Sequence, residues 1–274
     1  MTAISANRLT DTRVTRVFAR AKAEGRQAIM PFMTVGWPEL SDTFRLYPAL
    51  VRGGADLIEM GIPFSDPIAD GVTVQRVNQR ALANGVTLPL ALEHARELRA
   101  EHGLEVPLIA MGYYNPFLAY GIERLAADAR DAGIDGFIVP DLPPEESDEL
   151  LAACVENGLH LIYLLAPTST EERLQAVIER ASGFIYLVSL VGITGARERL
   201  YEGLADYVAR VRRHTSLPLA LGFGISSPEH VAAAAGLVDG VIFASGMLNH
   251  LETVPAENLP DEAERYVRWL RGSD

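Results

Sequence analysis

Short apolar runs rich in β-forming residues recur along the chain, at 28–34, 56–60, 107–111, 136–139, 160–165, 184–189, 218–222 and 240–244. Each is largely apolar, as expected of parallel strands buried on both faces. Between them the apolar spacing changes to that of helices, at 40–52, 88–100, 122–132, 145–157, 170–180, 204–214 and 228–235, and two further helices at 13–23 and 262–271 flank the set. Several helices run into the next strand through glycine, as at Gly133 and Gly183, where a left-handed cap turns the chain back. Eight strands alternating with helices, with no linker or shift of composition, predict a single-domain (β/α)8 TIM barrel over residues 1–274 with an extra N-terminal helix. A doubly wound open sheet is the alternative.

Two segments break the rhythm. Residues 61–85 are too long for a simple turn and hold a helix beginning near Thr73; residues 190–201 carry Gly192 and Gly195. Long loops after strands are where barrel enzymes place chemistry and mobile lids.

Composition narrows the field. Nearly half the residues are hydrophobic, and the formal charge of −12 argues against a nucleic-acid partner, which would need clustered cations. The basic residues are scattered among acidic ones; Arg96 and Arg99, interleaved with Glu93, Glu97 and Glu101, read as a solvated helix face. Cys154 is the only cysteine and lies in an apolar helical run, so a buried structural thiol in a reducing compartment is expected. The polar N-terminus does not read as a signal peptide and no run is long enough to span a membrane, so a cytoplasmic location is expected.

Candidate chemistry starts at Glu59. Along a strand Leu57 and Glu59 share one face, while Ile58 and Met60 share the other. A carboxylate among buried apolar residues demands a reason: either it is paired with a buried arginine or backbone amides, or it is a general acid/base. The following loop adds Asp66 and Asp70, one of which could cap the helix near Thr73. Glycine-rich turns at 222–228 and 240–246, after the last two strands, suit phosphate binding at a barrel's usual place; the alternative is two tight turns needing glycine for steric reasons. Lys22, the only lysine, precedes the first strand, which excludes a Schiff-base aldolase, and six dispersed histidines show no metal-ligand spacing. Carboxylates, with a tyrosine, remain for proton transfer.

The run from Asp56 to Gly71, DLIEMGIPFSDPIADG, resembles the signature of the tryptophan synthase alpha chain family. Stretches at 31–38, 112–116, 140–146, 192–195 and 222–225 are similar to further family motifs and occur in family order over nearly the whole chain. The resemblance implies retro-aldol cleavage of indole-3-glycerol phosphate to indole and glyceraldehyde 3-phosphate, as the alpha subunit of an alpha2beta2 complex in tryptophan biosynthesis. It makes Glu59 the acid/base that protonates indole C3 and takes the glycerol hydroxyl proton, and Asp70 the carboxylate that stabilises charge at the indole N–H. Asp70 is expected to be a solvated, ionised loop residue. Phe32, Tyr113 and Phe223 match positions lining the indole site and Tyr186 a tyrosine near the substrate; Gly195, Gly224 and Ser245 match the phosphate site, and Thr194 and Ala244 further substrate-binding positions, with 190–201 as lid. Asp66, Pro67, Asn115 and Asp141 match the interface with a beta chain, which carries pyridoxal phosphate; no cofactor or metal is expected on this chain. A free-standing lyase and a non-catalytic activator of a beta chain are the alternatives. Three departures stand out. Ala244 replaces a usual glycine, which would cost on the order of 1 kcal/mol if the turn needs positive φ. Val72 replaces a usual proline and Val77 a usual alanine.

Overall fold

A computed structural model describes residues 9–188, 203–222 and 224–272. Among them are β1 (Ala28–Thr34), β2 (Ile58–Gly61), β3 (Leu108–Met111), β4 (Gly136–Ile138), β5 (His160–Ile162), β6 (Leu164–Leu165), β7 (Ile185–Val188), β8 (Leu219–Gly222) and β9 (Gly240–Phe243). All pair in parallel, in the order β5-β4-β3-β2-β1-β9-β8-β7-β6. The two ends of that order, β5 and β6, are successive pieces of one run broken only at Tyr163, the first paired with β4 and the second with β7. The sheet therefore returns to itself as a barrel of eight strand positions, and the open-sheet alternative falls.

Alternation along the strands sorts side chains into two cores. Ala28, Met30, Leu57, Ile109, Ile138, Ile162, Tyr186, Ala220 and Ile242 pack inside the barrel. Ile29, Met33, Ile58, Met60 and Leu108 belong to a separate layer under the outer helices. The extra helix α1 (Arg13–Ala23) closes the N-terminal mouth: Val14, Val17, Phe18 and Ala21 join the interior core, with the Phe18 ring 5.4 Å from that of Phe184. Thr12 caps α1 and also meets buried His160 at 2.9 Å, whose other ring nitrogen meets Ser182 at 2.9 Å.

Aspartates tie the strand beginnings together at this end. Asp56, Asp135 and Asp239 accept the backbone N–H of Ile29, Leu108 and Leu219 on the neighbouring strands, at 3.0, 2.9 and 2.8 Å. Each also holds arginine, and this is where the expected solvated face fails at one residue. Arg99 is half-buried, donating to Asp135 and to the carbonyls of Leu104, Val106 and Gly133.

The outer layer is α2 (Thr43–Arg52), α3 (Val72–Ala83), α4 (Leu88–Ala100), α5 (Tyr114–Tyr120), α6 (Ile122–Asp131), α7 (Asp148–Glu156), α8 (Glu171–Arg180), α9 (Leu204–Arg212), α10 (Pro228–Ala234), α11 (Ser245–Leu251) and α12 (Leu259–Arg271). The expected helix at 40–52 begins as a 3-10 turn, Leu40–Asp42. Two short helices, α5 and α11, lie where no helix was expected. Pro116 is tolerated because it stands in the first turn of α5, whose N–H groups have no intrahelical acceptor. Cys154 is fully buried on α7, and burial pushes its thiol far up, out of the reactive range. Among the described residues no helix is long and apolar enough to cross a membrane.

Candidate active site

Glu59 sits on β2 in register with Phe32 of β1 and Ile109 of β3, and shares the inward face with Leu57. It is only 2% exposed, and its Oε2 has no hydrogen-bond partner. Among the described residues no arginine pairs with it, so no described cation offsets the loss of water. Burial first, and the charge of Asp70 second, push the carboxyl up to about 8. At neutral pH it holds a proton it can give.

Asp70 comes from the loop after β2, which folds back over the barrel mouth. Contrary to expectation it is buried, at 8% exposure. Asn78 on α3 donates to its carboxylate at 3.2 Å, and Thr34 at the end of β1 donates to the Asn78 carbonyl at 3.0 Å. The Tyr113 hydroxyl also bonds the carboxylate, while accepting the Ala69 N–H at 3.0 Å. Burial raises Asp70 to about 6, and the bonds from Tyr113 and Asn78 restrain the rise. The residue is thus still ionised at pH 7, through fixed donors rather than through water. Neither loop aspartate caps α3, which begins at Gly71 without a side-chain cap; Asp66 instead accepts the Ser65 hydroxyl at 2.6 Å.

Two glycines make room for the rings around this pair. A Cβ on Gly222 would lie 2.1 Å from the Tyr186 hydroxyl oxygen, and one on Gly61 would lie 2.5 Å from the Phe32 ring. Tyr186 is buried, and burial first, then the charges of Glu59 and Asp70, raise its hydroxyl well above the usual range, so it stands near both carboxylates.

The glycine-rich turns meet at the neighbouring edge of the mouth. Gly224 has φ of +89°, and Ser245 opens α11. A Cβ on Gly246 would come within 2.9 Å of Ser226, whose carbonyl accepts the Tyr266 hydroxyl at 3.2 Å, so the two turns abut. Ala244 has φ of −138°, and the glycine this chain lacks there is not required for a left-handed backbone. Thr194, Gly195, Phe223 and the segment 190–201 lie outside the described residues.

Asp66, Asn115 and Asp141 are exposed and Pro67 half-buried on the rim of the same mouth. Asp141 accepts the Tyr114 N–H at 2.9 Å, tying α5 to the loop after β4. Ile68, Val72 and Leu118 add exposed apolar side chains, at 80%, 67% and 50%. Val77, by contrast, is fully buried on the inner face of α3. Among the described residues no three histidines, cysteines or carboxylates are placed to hold a metal ion.

Sequence reasoning missed Thr34 and Asn78. The signal existed: Val74, Val77, Asn78 and Ala81 share the buried face of α3, and an amide in that series is out of place unless it has a partner.

The model of the tryptophan synthase alpha chain family matches residues 18–270. The alpha chain of Roseiflexus sp. is 51% identical over 95% of this chain and 100% of its own length; that of Roseiflexus castenholzii is 52% identical over the same shares. Among solved structures, the alpha subunit from Legionella pneumophila superposes with a TM-score of 0.86 at 32% identity, covering 96% of this chain and 98% of its own. Tryptophan synthase from Mycobacterium tuberculosis gives 0.86 at 35% identity, with the same coverage. With a barrel of the same form and a match over nearly its whole length, this chain belongs to the tryptophan synthase alpha chain family.

Proposed function

We propose that this lyase cleaves indole-3-glycerol phosphate by the action of Glu59 and Asp70, and that the observation carrying the assignment is a buried, uncompensated glutamate beside a second, hydrogen-bonded carboxylate. Glu59 in its acid form protonates indole C3, the carbon that bears the glycerol chain. The positive charge that reaches the ring nitrogen is met by ionised Asp70 through the N–H. Glu59, now a carboxylate, takes the proton from the adjacent glycerol hydroxyl. As the aldehyde forms, the carbon–carbon bond breaks and its electrons restore the aromatic ring. Indole keeps the proton delivered to C3, and Glu59 ends protonated as it began. One residue serves as acid and then base because its burial sets its proton affinity near neutrality.

Phe32, Tyr113, Tyr186 and Phe223 line the indole end. Thr194, Gly195, Gly224, Ala244 and Ser245 hold the phosphate through backbone N–H groups and the Ser245 hydroxyl, and 190–201 closes over the substrate. Asp66, Pro67, Asn115 and Asp141 meet a beta chain in an alpha2beta2 complex, a reading supported by the exposed apolar side chains of Ile68, Val72 and Leu118 beside them. Pyridoxal phosphate chemistry belongs to that partner; the step on this chain needs only carboxylates and amides. The chain acts in the cytoplasm as a single folding domain. Indole release from indole-3-glycerol phosphate, measured with and without added beta chain, tests the reading. Turnover that rises on addition is expected; no indole under either condition contradicts it.

A further inference from the structure

The N-terminal end of the barrel, remote from the carboxylate pair, holds a groove of about 530 Å³ between α1, the end of α2 and the loop entering β3. Arg13, Arg16 and Arg20 recur at three- and four-residue spacing, so they share one face of α1, and Arg52 at the end of α2 lines the same groove. Two carboxylates line it as well, Asp56 and Glu105.

These carboxylates do not neutralise the arginines. Asp56 is shared between Arg20 and Arg26, at 2.7 and 2.6 Å. Asp135, the partner of Arg13, is shared with Arg99, and Glu264, the partner of Arg52, is shared with Arg268. Among the described residues Arg16 pairs only with Asp11, which is 82% exposed and so screened by water. Glu24 also pairs with Arg26 and Glu105 lines the groove, so the seven guanidiniums of this cluster meet six carboxylates and positive charge stays in surplus by one, on a chain whose net charge is −12. The four groove arginines are 45–61% exposed, and each guanidinium has five N–H donors, more than its bonds to the described residues use.

We propose that this groove binds a small polyphosphate anion. Guanidinium forks suit the oxygens of phosphate. Arg13 and Arg20 are seven residues apart, roughly 10 Å along the helix, which exceeds one phosphate group and suits two or three in a chain. The apolar stems of the groove, Val17, Val51 and Leu104, leave room for an organic body attached to that chain.

The test is titration calorimetry of the full chain at low ionic strength with inorganic tripolyphosphate, and separately with ATP. The variant Arg16→Gln/Arg52→Gln leaves the buried aspartates with their partners. It is expected to weaken tripolyphosphate binding at least about tenfold, and added salt to weaken the wild type. Arg124→Gln/Arg130→Gln, which removes the same charge elsewhere, and Ser245→Ala, at the proposed substrate-phosphate site, are expected to bind as the wild type does. Tighter binding of ATP assigns the site to a nucleotide, and equal binding to the phosphate chain alone; both support the groove. Absence of tripolyphosphate binding overturns it, as does equal weakening in the Arg124/Arg130 variant, or loss in Ser245→Ala with none in Arg16→Gln/Arg52→Gln. Since the groove and the carboxylate pair are separate, indole release in the arginine variant reports on the proposed activity independently.

Discussion

At the scale of single residues, the chemistry comes down to how two carboxyl groups are solvated. Glu59 has lost water and gained no cation among the described residues, so its proton is held up to about 8; Asp70 has also lost water but keeps donors, and stays near 6. The proposed reaction needs the first protonated and the second ionised. The pH profile of kcat/KM for indole release is therefore expected to be a bell, rising through about 6 and falling through about 8, the two limbs belonging to the coupled pair. A profile flat from pH 5 to 9 would contradict it. The same shift affects folding. Because the folded state holds the Glu59 proton more tightly than the unfolded chain, this residue favours folding below the unfolded pKa of 4.5, and that contribution is lost as pH rises through about 8. Glu59→Gln, an uncharged isostere, is expected to gain stability relative to the wild type between pH 5 and 8 in denaturant unfolding. A constant difference over that range would show that the carboxyl is not proton-linked to folding.

Secondary-structure elements hold that arrangement in place. Thr34 at the end of β1 fixes Asn78 on α3, and Asn78 fixes Asp70 across the barrel mouth. A hydrogen bond to a charged group contributes about 1.5–3 kcal/mol, so Asn78→Ala is expected to lower kcat/KM at pH 7 roughly 10–100-fold. It should also move the acid limb upward, because the carboxylate has lost a donor. A fall in rate with an unmoved acid limb would mean general loosening of α3 instead. Much of this was legible in sequence. Apolar runs gave the strand positions, and Glu59 stood out because a charge interrupts one of them. Asp70 was misjudged as solvated because a proline-rich loop reads as surface, and only the fold brings Tyr113 and Asn78 over it. Asn78 escaped notice because a neutral amide resembles the polar face of any helix. The short helices α5 and α11 begin inside stretches read as a motif and a turn, 112–116 and 240–246, rather than for helical spacing.

For the whole molecule, closure of the barrel divides labour between its ends. At the N-terminal end, aspartates before the strands and the α1 plug carry stability; at the C-terminal end lie Glu59 on β2, Asp70 in the loop after it and the glycine-rich turns proposed to hold phosphate. Phe18 is 5% exposed and packs on Phe184 across the plugged mouth. Phe18→Ala is expected to cost about 3–5 kcal/mol of stability in denaturant unfolding, with little change in kcat for the fraction that remains folded. A loss below 1 kcal/mol would show that α1 is not part of the barrel's core. The account as a whole rests on a proton carried by Glu59. Single-turnover release of indole from indole-3-glycerol phosphate, comparing Glu59→Gln with the wild type at pH 7, tests this most directly. The account predicts a fall of about 10²–10⁴-fold with folding and substrate affinity retained; near-wild-type release from the folded variant would contradict it.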